Sequence, residues 1–417
     1  MDAIKARKDV ELLVVAGGAH LLPPARTIRE VEAAYDVAAK VPMQRPGRTG
    51  RDADAAALGR GVSGFAKAFA ELKPEWVVVL GDRIEALAAA AAASVAGIAV
   101  CHIHGGDRAE GIADEAMRHA ITKLAHLHCA ATKQSAERIV RMGERPEFVH
   151  VTGSPAIDGL DRIKPMGDAE AAELGDPRVV VLLHPAGLGG ATRASLPSSL
   201  TPAFVNAQAG RRVMPPAPMT SAIFPDDGRA EERFASFTAF VPPCLPDEPP
   251  LGPCRNVGDT PCGGVGPRTL VLHPNHDPGH EQILGVFRKW SRIHGWPLLP
   301  HLPRTTFIAL LKRMVERKRG LLVGNSSAGL IECAALGVPA LNLGPRQAGR
   351  ERDRNVVDAD PLDTKGVVSK VRRADRLAGR LAPSKRFGDG RAGRRVAELL
   401  AGTDPGDPAL LRKRNAY

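Results

Sequence analysis

The sequence predicts an α/β protein built on parallel sheets, and three observations carry that expectation. Apolar runs of strand length alternate with segments of helical periodicity along most of the chain. The stretch from Trp76 to Cys101 reads strand–helix–strand, with an Ala-rich helix between two apolar runs. A second very apolar run, Val179–Leu183, opens the same alternation again, and 417 residues suit two domains of ordinary size. The division expected is 1–165, then 166–400, then a basic tail at 401–417.

Taken in order, a short helix (Ala3–Arg7) and a strand (Leu12–Val15) lead to the turn Gly17-Gly18-Ala19-His20. Residues 21–60 carry turn signals at Pro23-Pro24 and Pro46-Gly47 and no sustained period. Apolar positions at helical spacing define a helix over Ala56–Leu72, stopped by Lys73-Pro74. Strand Trp76–Leu80 ends in Gly81-Asp82-Arg83, and strand Ile98–Cys101 ends in His102-Ile103-His104-Gly105-Gly106. The helix over Ala113–Leu127 has Asp114 and Glu115 in its first turn, where acids suit the helix dipole. Helix Thr132–Met142 and strand Phe148–Thr152 follow, and a linker and helix over Asp158–Leu174 lead to Val179–Leu183, which ends in His184-Pro185.

The alternation then breaks. Gly187–Arg268 holds 14 of the 35 prolines and three of the six cysteines, without periodicity, and is expected to be a disordered excursion. Order returns with strand Thr269–His273, helix Glu281–His294, a segment near Leu298–Leu302 and helix Thr305–Glu316. Strand Gly320–Val323 ends in Gly324-Asn325-Ser326-Ser327-Ala328-Gly329, with a helix starting at once. Strand Val338–Leu343 ends in Gly344-Pro345-Arg346-Gln347, and Ala392–Leu400 is the last helix.

Composition excludes several classes. No run of eighteen apolar residues is free of charge, and the opening text has no signal core, so no membrane span and a cytoplasmic location are expected. No cysteine pair has C-x-x-C spacing, which argues against a zinc site or a disulfide framework. The net charge of +11 is concentrated late: residues 301–417 carry 24 Lys/Arg against 12 Asp/Glu. That excess either attracts an anionic ligand or forms a solvated basic surface. Without interleaved aromatics or a recognition motif, nucleic acid is not an expected partner.

Ligands of open α/β sheets bind beyond the carboxyl ends of strands, so the polar residues there are the candidates. The strand–GNSSAG–helix segment suits an anion through backbone N–H groups and the Ser326 and Ser327 hydroxyls, or else is a capped helix start. Glu332, six residues past Ser326 and so nearly two turns into the helix, has the chemistry to hold two ribose hydroxyls. Arg346 and Arg350 suit a diphosphate or are surface arginines. Asp82, His104, Asp114 and Glu115 are acid–base candidates, each with an ordinary alternative: an Asx turn, a hydrogen-bonded strand end, or dipole complementation. His184 suits a leaving phosphate or a proton transfer. His102 and His104 share a strand face, but no third ligand stands at metal spacing, so no metal is expected.

Together these pieces resemble the hydrolysing UDP-N-acetylglucosamine 2-epimerases of sialic-acid precursor synthesis. The matching text is Gly81-Asp82-Arg83, HIHGGDRAEGIADEAMRHAITKLAHLHCAAT, Gly153-Ser154-Pro155, His184-Pro185, HPNHDPG, VGNSSAGLIE, LNLGPRQAGRERDRNV and RFGDG. The resemblance implies a GT-B fold, two Rossmann-like domains facing a cleft, with UDP mainly on the second. It implies elimination of UDP to a 2-acetamidoglucal, then hydration to N-acetylmannosamine, without a cofactor, in a homo-oligomer. It puts Asp82, His104, Asp114 and Glu115 at acid–base positions, His104 standing where some members have Glu. His184 counts among the catalytic residues too. Arg83, His184, Asn275, Ser326, Ser327, Glu332 and Arg346 fall at UDP-contact positions, and Asp277, Gly279 and Asn325 lie in the same blocks. His20 matches a Gly-x-His turn, and Arg118 and His119 lie in the signature helix.

Two departures are expected. The family text opens with a strand and a Thr-Gly-x-Arg turn ahead of the helix that begins this sequence, so a first strand and an arginine ligand are expected to be missing. Gly187–Arg268, an inserted or frame-disrupted stretch, has no expected counterpart. Three alternatives follow: a UDP-sugar-binding homologue with impaired catalysis, an epimerase of a related UDP-diacetamido sugar, and a GT-B glycosyltransferase.

Overall fold

A computed structural model of the chain describes residues 1–22, 27–48, 50–109, 114–185, 268–275, 277, 279–361 and 363–416. The expected disordered excursion lies, but for Arg268, outside the described residues.

The first half runs α1 (Asp2–Lys5), β1 (Val14–Gly17), α2 (Ile28–Ala34), β2 (Val37–Val41), α3 (Arg51–Leu72), β3 (Trp76–Leu80), α4 (Ile84–Val95), β4 (Ala99–Ile103), α5 (Asp114–Leu124), β5 (Leu127–Ala130), α6 (Lys133–Arg141) and β6 (Val149–Val151). All its strand pairings are parallel: β3-β4-β5-β6 form one sheet and β1-β2 a separate pair. Among the described residues β3 pairs only with β4, and its Val78 and Leu80 are 39% and 56% exposed. The elements α2 and β2 fall where the sequence shows no sustained period; β2, Val-Ala-Ala-Lys-Val, buries only Val41. The Ala-rich α4 packs closely on α3 and β3; Ala88, Ala90 and Ala93 have no exposed surface, so small side chains set the spacing.

The second half runs α7 (Asp168–Glu173), β7 (Val179–Leu182), β8 (Thr269–Leu272), α8 (His280–His294), β9 (Leu298–Leu299), α9 (Arg304–Glu316), β10 (Leu321–Gly324), α10 (Glu332–Leu336), β11 (Ala340–Leu343), β12 (Val356–Ala359), α11 (Thr364–Asp375), α12 (Ala392–Gly402) and α13 (Pro408–Leu411). The helix expected over Asp158–Leu174 is only α7, preceded by 3-10 turns at Pro155–Ile157 and Leu160–Arg162. The sheet is parallel in the order β12-β11-β10-β7-β8-β9, buried on both faces. The strand order reverses between β7 and β10, so the crevice opens where His184 follows β7 and Asn325 follows β10.

The end of the chain returns to the first half. Val396 and Leu400 of α12 pack on Cys101, Ile103, Leu127 and Cys129 of β4 and β5. Asp158 accepts from the N–H groups of Ala392 (2.9 Å) and Gly393 (2.6 Å), tying down the start of α12. Beyond α13, the Lys413 ammonium reaches the carboxylate of Glu144, which also meets Lys123 (2.6 Å) and His128 (3.2 Å).

Burial pushes the Glu144 carboxyl up, but hydrogen bonds from His128, Lys123 and Lys413 outweigh it and hold it at about 2. A depressed carboxyl stabilises the fold above its ordinary value of 4.5 and loses that contribution as the pH falls toward 2. Chemical unfolding followed from neutrality to acid should therefore show wild-type stability falling in this window and a flatter profile for Glu144→Gln. An unchanged acid slope in the variant would remove the latch from the stability of the fold.

Candidate active site

The turn after β3 is braced from β4. The Gly81 N–H donates to the carbonyl of Ile103 (2.9 Å), and the His102 ring, through Nε2, donates to the carbonyl of Gly81 (2.8 Å). Burial lowers His102 to about 3, so this ring is a neutral structural donor. Asp82, next along, is ion-paired with Arg118 of α5, whose Nη1 also lies 2.7 Å from Glu115. Arg118 is 1% exposed; burial and the nearby Arg350 lower it to about 9, still cationic at neutrality. One buried guanidinium thus clamps both carboxylates. Glu115 also accepts from the N–H of Ala109 (2.7 Å) and lies 3.4 Å from His119. The Asp114 side chain lies outside the described residues.

His104 sits in the left-handed region (φ 66°), a strained conformation for a residue with a side chain. Of the two readings, acid–base group or hydrogen-bonded strand end, the structure shows the hydrogen bonds: both ring nitrogens are engaged, Nδ1 with Asp107 (2.8 Å) and Nε2 with Ser154 (2.8 Å). The two glycines that follow permit this. Gly106 has φ 73°, and a Cβ there would lie 2.1 Å from the Ser135 carbonyl oxygen. Asp107 accepts further bonds from Ser135 (2.7 Å) and Arg350 (3.3 Å).

In the second half, Asn325 is fully buried and organises the crevice. Its Oδ1 accepts from the His184 N–H (2.8 Å), and its Nδ2 donates to the His184 carbonyl (2.9 Å). Its own carbonyl accepts from Arg346 (3.2 Å) and Gln347 (2.9 Å). The N–H of Asn275 donates to His184 Nδ1 (3.1 Å), which puts the ring proton on Nε2. Burial, then Arg346, lowers His184 to about 3, so it is an N–H donor and not a base at neutral pH.

The GNSSAG segment does not run straight into a helix. Ser326 caps a 3-10 turn, Ser327–Gly329, by accepting from the Ala328 N–H (3.3 Å), and α10 begins only at Glu332. Glu332 is therefore the first residue of α10 and not two turns into it. Burial raises its carboxyl, and Arg304, His104 and Arg350 act on its charge.

The two sets of loops meet. Arg83, past β3, pairs with Asp277, past β8, at 2.5 Å, and Arg346 lies 3.8 Å from the same carboxylate. Burial works against the Asp277 charge, but Arg83, Arg346 and Asn275 hold its carboxyl below the usual range. Arg350 pairs with Asp107, and Glu351 accepts from Thr132. Gly279, at φ 95°, caps α8, and a Cβ there would lie 3.8 Å from Pro185. His20 stands apart, exposed, with its Nδ1 2.7 Å from the Thr27 hydroxyl. Sequence reasoning missed Asp107, Ser154 and Glu85, which accepts from the Ala19 N–H (3.0 Å) and Gln44 (2.9 Å). For Asp107 and Ser154 the signal available was position, since each directly follows a glycine turn at a strand end; Glu85 lies in the first turn of α4. Among the described residues, no group of three or more His, Cys, Asp or Glu side chains could hold a metal ion, and no helix is long and apolar enough to cross a membrane.

The family model for UDP-N-acetylglucosamine 2-epimerase matches residues 2–230 and 265–401. The chain belongs to the UDP-N-acetylglucosamine 2-epimerase family. A Legionella pneumophila relative, a UDP-N,N'-diacetylbacillosamine 2-epimerase (hydrolyzing), is 28% identical over 98% of this chain and 93% of its own length. A UDP-N-acetylglucosamine 2-epimerase of Neisseria meningitidis is 26% identical over 89% of this chain and 81% of its own. A solved UDP-GlcNAc 2-epimerase from Neisseria meningitidis, bound to UDP-GlcNAc, aligns at TM-score 0.60 and 15% identity, over 94% of this chain and 99% of that one. The S. aureus MnaA–UDP co-structure aligns at 0.65 and 16% identity, over 96% and 90%. The fold of this epimerase-family chain is of the GT-B type.

Removing the clamp should be costly. Arg118→Met leaves Asp82 and Glu115 without their shared cation, and breaking a buried pair costs about 3–5 kcal/mol. Urea unfolding should show a loss of that order. A loss under about 1 kcal/mol would mean that solvent, and not Arg118, satisfies the two carboxylates.

Proposed function

We propose that this chain is a hydrolysing UDP-N-acetylglucosamine 2-epimerase, converting UDP-N-acetylglucosamine and water to N-acetylmannosamine and UDP. The observation that carries the reading is the meeting of the Asp82–Arg118–Glu115 cluster and His104 with the His184–Asn325–Arg346 crevice, bridged by Arg350 on Asp107 and Arg83 on Asp277. A sugar nucleotide fits such a cleft with its diphosphate beside arginines and its sugar beside carboxylates.

In the first step a base takes the proton from C2 while the C1–O bond breaks, giving the 2-acetamidoglucal and UDP. His184 Nε2–H and Arg346 offer donors to the departing diphosphate, and Arg83 exchanges Asp277 for phosphate oxygen. Ser326, Ser327 and Glu332 take the nucleoside side. In the second step water adds to C1 and a proton returns to C2 from the opposite face. Asp82, Glu115 and His104 supply and accept these protons, with Asp114 beside them. Related UDP-diacetamido sugars are the runner-up substrates, favoured by the Legionella pneumophila relative.

Purified protein given UDP-N-acetylglucosamine should release UDP and N-acetylmannosamine in equal amounts, and in D₂O the product should carry deuterium at C2. Product without that label would rule out the elimination. Asp82→Asn should lower turnover by about 10²–10⁴-fold while UDP binding persists. Parallel loss of UDP binding would reassign Asp82 to the scaffold, and tight UDP binding by a wild type without turnover would select a binding protein.

A further inference from the structure

We propose that Asp107 is the positioning residue of the acid–base centre: it fixes His104 with the proton on Nδ1, leaves Nε2 as the working nitrogen, and is itself held in place by Arg350 from the opposite half. The proposal deepens the epimerase reading and rests on it for the role of His104 in moving the C2 proton.

The argument is one of donors and acceptors. The Asp107 carboxylate is 5% exposed and receives three bonds, from His104 Nδ1, the Ser135 hydroxyl and Arg350. Burial disfavours its charge, but His104, Arg350 and Ser135 hold the carboxyl below the usual range, so it is ionised and accepts only. The proton between Asp107 and His104 therefore belongs to Nδ1. On the other side of the ring, the Ser154 oxygen accepts from the Ala156 N–H (3.2 Å), and its own hydrogen is free for Nε2. For a neutral ring, the network is complete in this arrangement. Ser154 has no exposed surface, so it covers Nε2 and is not itself a nucleophile. Rotating its hydroxyl away bares a nitrogen whose direction Asp107 has set, the division of labour that serine hydrolases use.

The left-handed backbone at His104 sharpens the requirement. A strained residue keeps its position only where its surroundings over-determine it, and Asp107 supplies the charge-assisted bond that does so. Arg350 follows β11 in the other half, so the third bond to Asp107 exists only with the halves together. The geometry thereby links closure of the cleft to the direction of the His104 ring.

The test is Asp107→Asn in the full-length protein, with Asp107→Glu and Ser135→Ala beside it. Asparagine has one acceptor oxygen for the three donors, so the Nδ1–H bond is lost or shared. Histidine ¹⁵N spectra, with His104→Gln assigning the resonance, should show Nδ1 protonated in the wild type and a changed tautomer balance in Asp107→Asn. Turnover should fall by about 10²–10⁴-fold, with KM and UDP affinity within about threefold of wild type. Asp107→Glu should recover part of the turnover, and Ser135→Ala, which leaves the charge, should lose less than tenfold.

An unchanged His104 tautomer in Asp107→Asn, or wild-type turnover in it, overturns the proposal. So does equal loss of turnover, UDP binding and melting temperature in all three variants, the pattern of a merely structural carboxylate. If the wild type proves inactive on UDP-sugars, the epimerase reading fails, while the tautomer measurement still decides whether Asp107 sets the ring.

Discussion

Two ion pairs between the halves, Arg83 with Asp277 and Arg350 with Asp107, determine where the strand-end loops meet. Each joins groups that are costly to bury alone, and each is reinforced from its own side: Asp277 by Asn275 and Arg346, Asp107 by His104 and Ser135. The result is a cleft whose charges are neutralised within it before any ligand arrives. Arg83 and Arg346, at positions that the resemblance gives to UDP contact, both lie against Asp277.

The same logic governs the carboxylates around Arg118. Asp82 and Glu115 come from different elements, a strand end and a helix, and share Arg118. The guanidinium fork can serve two carboxylates because its donors are fixed in a plane. His184, by contrast, is kept neutral by burial and by the backbone N–H on its Nδ1, which makes it a donor.

The strand-end positions were legible in the sequence because glycine turns follow apolar runs: Gly81-Asp82-Arg83, His104-Gly105-Gly106 and Gly324-Asn325 all stand where the parallel sheets end. The Ala-rich α4 was legible for the same reason of periodicity and composition. What escaped were the short β2, the 3-10 turn that displaces Glu332 to the start of α10, and the return of the tail to Glu144. Each depends on contacts between residues far apart in the chain.

By itself, the sequence determined the alternation of strand and helix, the parallel sheets that this implies, and the loops that carry polar groups. It did so because hydrophobic periodicity and glycine turns are local properties. Tertiary structure alone decided that Arg118 serves both Asp82 and Glu115, that His104 has no free nitrogen, and that Arg350 reaches Asp107 from the opposite half. Those outcomes depend on the donor and acceptor count of a buried site, and that count exists only once distant segments have excluded water from it.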